Sequence, residues 1–213
     1  MSGYDVVLAD PPWRYDDKCV AGKRGADFKY STMSFDELRL CGVHRIISKN
    51  SLLFLWTTGP MMHDAISLMP AWGFDFKTVA FVWIKASLRK LTKKRIQSML
   101  WCYGKTGSIG SIEDFVSLFW GMGSTTRVNA EFCLLGVGGK GVKRKSASVH
   151  QVVLHSRLAQ HSAKPDEVRN RIDKLVGNEV SKVELFARER AVGWDATGLE
   201  LDGVDINDFT KVR

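Results

Sequence analysis

Short apolar runs alternate with amphipathic segments along the chain, and this alternation is the pattern of an α/β fold. Ser34 and Glu37 have capping-box spacing at the start of one helix, while Pro165 and Gly177 bracket another. We expect a mostly parallel sheet with helices on both faces. Strands are predicted at residues 4–9, 51–57, 76–84, 131–138, 149–155 and 182–187, helices at 34–47, 60–72 and 165–176, and a loop at 193–203 before a fraying terminus.

Residues 86–123 interrupt this rhythm with a basic run at 87–95, followed by aromatic and glycine-rich sequence. We interpret the segment as a basic insertion in a single domain spanning residues 1–213. Two interpretations stay open: a solvated helix that caps the sheet, or a nucleic-acid contact loop. In the second interpretation, the basic side chains contact phosphates, and the aromatic rings stack on bases or pack locally. The aromatic residues are Trp101, Tyr103, Phe115 and Trp120.

The net charge of +8 and the pI near 9.4 favour a polyanionic partner, nucleic acid first, although a solubilising excess of charge has the same signature. Hydrophobic residues at 45% and charged residues at 25% exclude a disordered or fibrous chain. The cysteines at positions 19, 41, 102 and 133 lack the spacing of a zinc site or a disulfide scaffold. We therefore expect reduced thiols and no bound metal.

No segment reaches the roughly 18 apolar residues that span a bilayer, and the N-terminus lacks the pattern of a signal peptide. We expect no membrane association and a cytoplasmic location, in the host cytoplasm if the chain is viral.

Asp10-Pro11-Pro12-Trp13 follows the first strand directly, at the strand end where open α/β sheets bind ligands. An exocyclic amine is a poor nucleophile, because its lone pair is delocalised into the ring. The Asp10 carboxylate and the Pro11 carbonyl can accept both amine hydrogens and expose that lone pair to an electrophilic methyl group. Pro12 stiffens the turn, and Trp13 packs on an extruded base. A strand-ending Asp-Pro turn beside a core tryptophan would have the same four residues.

The motif and its surroundings resemble the adenine-N6 methyltransferases typified by the catalytic subunit of the messenger-RNA adenine methyltransferase. The resemblance covers nearly the whole chain outside residues 86–123. Matching segments follow in the same order at 30–34, 53–59, 72–74, 82–85, 131–136, 164–167, 184–188 and 193–195. It implies a Rossmann-like methyltransferase fold, S-adenosylmethionine as cofactor, and transfer to adenine N6 in nucleic acid, in DNA more than in RNA.

The resemblance also implies roles for individual residues. Asp10 to Trp13 form the reaction site, and the target adenosine is placed by Tyr30 and Glu131. The cofactor is contacted by Asp10, Lys164, Phe186, Arg188 and Glu200, with Lys164 on its carboxylate and Glu200 on its ribose hydroxyls.

Leu199 stands where relatives have asparagine, Ala163 stands where they have a basic residue, and only three residues precede Tyr4. The first and last of these departures favour one alternative, a non-catalytic nucleic-acid-binding subunit with the same fold. Cytosine-N4 methylation is another alternative, since it uses the same chemistry on an exocyclic amine. A homodimer or heterodimer is left open.

Overall fold

The computed structural model describes residues 3–15, 32–88, 92–108, 116–121, 123, 125–156 and 163–211. Its strands are β1 (Tyr4–Ala9), β2 (Ile47–Thr57), β3 (Asp75–Leu88), β4 (Val116–Leu118), β5 (Ala130–Gly138), β6 (Val152–His155), β7 (Lys182–Leu185) and β8 (Asp195–Thr197). Its helices are α1 (Phe35–Arg39), α2 (Met62–Leu68), α3 (Lys93–Thr106), α4 (Asp166–Val176), α5 (Leu199–Asp202) and α6 (Ile206–Lys211).

The strands form one sheet in the order β4-β3-β5-β2-β1-β7-β8, and β6 also pairs with β3. β1 is parallel to both β2 and β7, whereas β5 lies antiparallel between β2 and β3. β4 is also antiparallel to β3, so six strands run in one direction and two in the other. The expected α/β class with a mostly parallel sheet is confirmed, and the sheet is mixed at β4 and β5.

Alternate residues of the central strands pack on opposite faces of the sheet. Val7 and Ala9 of β1 belong to the core under α1 and α2, while Val6 and Leu8 belong to the core under α4. This is the two-residue period of an extended strand. Helices cover both faces, as the apolar runs predicted.

The first helix is shorter than predicted. Its capping box is present: the Ser34 hydroxyl accepts the Glu37 N–H at 3.3 Å, and the Glu37 carboxylate accepts the Ser34 N–H at 2.7 Å. The helix ends at Arg39 rather than near Ile47, because Gly42 takes a left-handed φ of 64° that no helix continues through. A single 3-10 turn then leads into β2.

The chain after residue 193 was predicted wrongly. Instead of a loop and a fraying end it contains β8, α5 and α6. β8 pairs in parallel with β7, and its residues Ala196 and Thr197 are buried. The hydroxyl of Thr210, in α6, donates to the Cys41 carbonyl at 2.8 Å, which ties this helix to the core.

The segment interpreted as an insertion contains α3 and β4, and β4 extends the sheet beside the end of β3. Phe115 lies outside the described residues. Cys41, Cys102 and Cys133 are free thiols, and Cys19 also lies outside the described part. None of the helices in the described ranges has the length and hydropathy needed to cross a bilayer.

Candidate active site

A cavity of about 850 Å³ opens where β1, β2, β7 and β8 end. These four strands run in the same direction, so the segments leaving their carboxyl ends converge on one crevice. Every candidate site residue within the described ranges lines it: Asp10, Pro11, Pro12, Trp13, Glu131, Lys164, Phe186, Arg188 and Glu200. Tyr30 lies outside the described residues.

The turn after β1 is held by hydrogen bonds on several sides. The Pro11 carbonyl accepts the Trp13 N–H at 2.8 Å, and the Pro12 carbonyl accepts the Met33 N–H at 2.8 Å. The Trp13 indole N–H donates to the Trp56 carbonyl of β2 at 3.0 Å. Since a carbonyl oxygen has two lone pairs, Pro11 can accept a second hydrogen. Trp13 is buried, so it anchors this turn as well as forming part of the cavity wall.

Four side chains of alternating charge link the turn to the opposite wall. The Lys164 ammonium lies 2.6 Å from the Asp10 carboxylate and 3.3 Å from the Glu131 carboxylate. Glu131 also pairs with the Lys85 ammonium, near the end of β3. Lys164 is 15% exposed and Asp10 25% exposed, so both charges are held largely away from bulk water. The two carboxylates thus share one cation in the cavity wall.

Burial and the ion pairs shift the pKa values of these three groups to different extents. Burial raises the pKa of Asp10, and the neighbouring Lys164 only partly opposes the rise. Burial also acts to raise the pKa of Glu131, but the two lysines outweigh it and hold that pKa below its usual value. For Lys164, burial acts to lower the pKa, yet Asp10 and Glu131 raise it overall. Glu131 and Lys164 therefore stay charged near neutral pH, and Asp10 is the carboxyl that protonates more readily.

The far wall is formed by the segments after β7 and β8. Phe186 has a φ of 61° and stacks on Trp72 with ring centroids 6.4 Å apart. A Cβ on Gly198 would lie 2.1 Å from the Ala187 carbonyl oxygen, so only glycine allows the two segments to come this close. The Arg188 guanidinium lies 3.5 Å from the Glu200 carboxylate. Charged groups therefore line this side of the cavity too.

Sequence reasoning assigned no role to several polar residues of this site. Lys85 is the last residue of the segment 82–85 that matches the family. A lysine directly after a predicted buried strand is the sequence signal that could have identified it. Thr197 and Asn207 line the cavity from regions predicted to be loop and frayed end. The Thr197 hydroxyl is buried and has no hydrogen-bond partner among the described residues. A buried unpaired hydroxyl beside a cavity suits a ligand with polar atoms.

Within the described part of the chain, no three His, Cys, Asp or Glu side chains are grouped closely enough to hold a metal ion.

Comparison with known proteins identifies a matching family. The sequence profile of the MT-A70 family matches residues 4–109 and 99–200. The type II methyltransferase M.MunI of a Mycoplasma species is 33% identical over 93% of this chain and 78% of its own length. The MT-A70-like N(6)-adenosine-methyltransferase of Drosophila melanogaster is 27% identical over 98% of this chain and 28% of its own length. The human N(6)-adenosine-methyltransferase catalytic subunit METTL3 is 26% identical over 98% of this chain and 30% of its own length.

A sheet of this kind, with a charged crevice at the ends of its parallel strands, belongs to an α/β enzyme that binds small molecules there. The chain belongs to the MT-A70 family and is an MT-A70 methyltransferase. It spans most of M.MunI but less than a third of the N(6)-adenosine enzymes just named. The resemblance seen in the sequence is thereby confirmed.

Proposed function

We propose that this protein transfers a methyl group from S-adenosylmethionine to the N6 amine of adenine in nucleic acid, in the cytoplasm. The observation that carries the proposal is the position of the Asp10 carboxylate and Pro11 in the wall of one cavity with the other described candidates. DNA is placed before RNA, because the relative matched over most of its length is the type II methyltransferase. A cavity of about 850 Å³ lies within the range of small-molecule sites.

The residues present fit the cofactor, which supplies an electrophilic methyl on a sulfonium. Lys164 offers an ammonium for its carboxylate, and Glu200 offers acceptors for ribose hydroxyls. The buried Thr197 hydroxyl supplies a further polar group that the described residues leave unsatisfied. Phe186 and Arg188 line the same wall. We accordingly assign these residues to a Rossmann-like methyltransferase site.

The reacting amine is held by Asp10 and the Pro11 carbonyl. An ionised Asp10 accepts one amine hydrogen, and Pro11 accepts the other through its second lone pair. Both oxygens lie on a rigid turn, so the base is oriented before reaction and little reorganisation remains. Trp13 excludes water from one side, and Glu131 and Tyr30 position the adenosine.

Lys164 has a second function in this scheme. Its ammonium opposes the rise in the pKa of Asp10 caused by burial. Lys164 therefore favours the ionised form of Asp10, which has the acceptor lone pairs that the amine needs. No general base with a high pKa is needed before methyl transfer, because the amine proton becomes acidic only once the nitrogen carries the methyl group.

The test is to incubate purified protein with S-adenosylmethionine and adenine-containing DNA or RNA, and to identify the methylated nucleoside by mass spectrometry. N6-methyladenine is expected, with more in DNA. N4-methylcytosine would show that the amine chemistry is right and the base wrong. Folded protein that binds nucleic acid but neither binds the cofactor nor methylates either polymer would establish the non-catalytic subunit instead.

A further inference from the structure

The helix α3 presents its apolar side chains to solvent. No side chain that the structure describes in this 14-residue helix is buried. Leu100 is 66% exposed, Trp101 62% and Tyr103 55%. A helix of a globular protein normally buries one apolar face, so large apolar side chains left exposed along a whole helix mark a region that contacts another molecule.

The charge of this region selects the kind of molecule. Between residues 86 and 112 the sequence has six basic side chains and no acidic one. The Lys105 ammonium lies 4.3 Å from the centre of the Trp101 ring. The Arg127 guanidinium lies 5.1 Å from the centre of the ring of Trp120, which is 72% exposed. A flat ring beside a cation suits a nucleotide, which brings a base to the ring and a phosphate to the charge.

The segment that carries Trp120 is attached to the active site. The Phe119 N–H donates to the Lys85 carbonyl at 2.8 Å, and the Lys85 N–H donates to the Asn129 carbonyl at 2.7 Å. The side chain of Lys85 pairs with Glu131 in the cavity wall. A Cβ on Gly121 would lie 2.1 Å from the Val128 carbonyl oxygen, so glycine permits the close approach that brings Trp120 near Arg127. Trp120 and Arg127 therefore lie on a segment that continues from the cavity wall, and α3 lies in the connection between the paired strands β3 and β4.

We propose that Trp101, Lys105, Trp120 and Arg127 bind the nucleic-acid strand that flanks the target base; we name them the α3–Trp120 surface. The proposal rests on the function proposed above and adds the path of the substrate. A second copy of this chain is a poorer occupant, because two α3 helices would bring together only like charges from the 86–112 region. A polyanion instead releases counterions when it meets these cations.

The test is fluorescence anisotropy with the full chain and 20-nucleotide fluorescein-labelled DNA or RNA, titrated at several salt concentrations. Lys105→Glu/Arg127→Glu is expected to weaken binding at least tenfold and to reduce the slope of log affinity against log salt by about 2. Trp101→Ala/Trp120→Ala is expected to weaken binding about tenfold or more while leaving that slope unchanged. All four side chains are exposed, so the fold should persist.

The matched control is Lys140→Glu/Lys143→Glu, which changes the charge by the same amount on exposed residues. Both residues follow the carboxyl end of β5. Because β5 is antiparallel to β2, and β2 is parallel to β1, this end of β5 lies at the side of the sheet opposite the cavity. The control should keep the wild-type slope. Equal losses in the control and in the lysine–arginine variant of the surface would overturn the proposal, because they would show a response to net charge alone.

Two further measurements separate the alternatives. In methylation assays both surface variants should raise KM for the oligonucleotide and leave kcat unchanged. If wild-type protein binds oligonucleotide through this surface but transfers no methyl group, the proposed function fails and the surface stands. If sedimentation shows a dimer that Trp101→Ala/Trp120→Ala dissociates, with oligonucleotide affinity unchanged, the surface binds a second copy and this proposal is wrong.

Discussion

Replacing Lys164 by methionine tests the charge arrangement of the cavity. Methionine keeps a long apolar side chain but removes the ammonium that lies 2.6 Å from Asp10 and 3.3 Å from Glu131. Glu131 retains Lys85 as a partner. Asp10 loses the cation with which it forms its hydrogen bond, and Glu131 loses one of its two lysine partners, so both carboxylates are perturbed.

The size of the effect follows from the burial of the pair. Removing one partner of a buried ion pair costs about 3–5 kcal/mol. The Asp10 side chain is 25% exposed to the cavity, so we take the lower end, about 3 kcal/mol at pH 8. For a chain of this size that loss lowers Tm by about 6–12 °C.

The loss should depend on pH in a defined direction. Lys164 lowers the pKa of Asp10, so its removal raises a pKa that burial has already raised. A carboxyl whose folded-state pKa lies above its unfolded value destabilises the protein only when ionised. The difference in unfolding free energy from wild type should therefore shrink as the pH falls from 8 to 5.

The assay is urea unfolding of wild type, Lys164→Met, Asp10→Asn and the double variant at both pH values. Asp10→Asn alone should lower the unfolding free energy by less than Lys164→Met does, because Lys164 retains Glu131 as a partner. The double variant should recover part of the stability that Lys164→Met loses. A loss that is the same at pH 8 and pH 5, or single-variant losses that simply add, would refute the reasoning.

Three further predictions concern residues around the cavity. Gly198→Ala should lower stability by about 2 kcal/mol or more and weaken cofactor binding, because the new Cβ would lie 2.1 Å from the Ala187 oxygen. The control is Gly59→Ala, whose Cβ would have no atom within 4 Å. Equal decreases in Tm for the two variants would contradict the argument. Trp13→Phe removes the indole N–H that donates to the Trp56 carbonyl of β2 at 3.0 Å. The loss of about 2 kcal/mol in unfolding free energy should lower Tm by about 4–8 °C. An unchanged Tm would speak against this hydrogen bond. Burial raises the pKa of Cys41 to about 12, so almost no reactive thiolate is present at pH 8. Iodoacetamide should therefore leave Cys41 unmodified in the folded protein. Alkylation of Cys41, detected by mass spectrometry, would be inconsistent with this burial.

The position of the site could be predicted because it depends on local signals. The apolar run before Asp10 predicts a buried strand, and a proline pair ends it abruptly. The carboxyl ends of parallel strands meet at one edge, so the residues after β1 and β7 were expected together. The structure places them in the same cavity.

The pairing of side chains could not be predicted in the same way. Lys164 and Asp10 are 154 positions apart, and their contact depends on the order in which the strands join the sheet. β8 has only three residues, and its extended form comes from pairing with β7 rather than from its own propensity. Thr197 was therefore left in a predicted loop, although it lines the cavity.

The central claim is that the Asp10 carboxylate orients the amine that receives the methyl group. The most direct measurement is the steady-state rate of N6-methyladenine formation by wild type and by Asp10→Asn, whose side chain is nearly the same size. We predict that kcat falls at least about 100-fold while the circular dichroism spectrum is unchanged, since a single positioned group contributes about 10²–10³ in rate. A variant within a few-fold of the wild-type kcat would contradict the account.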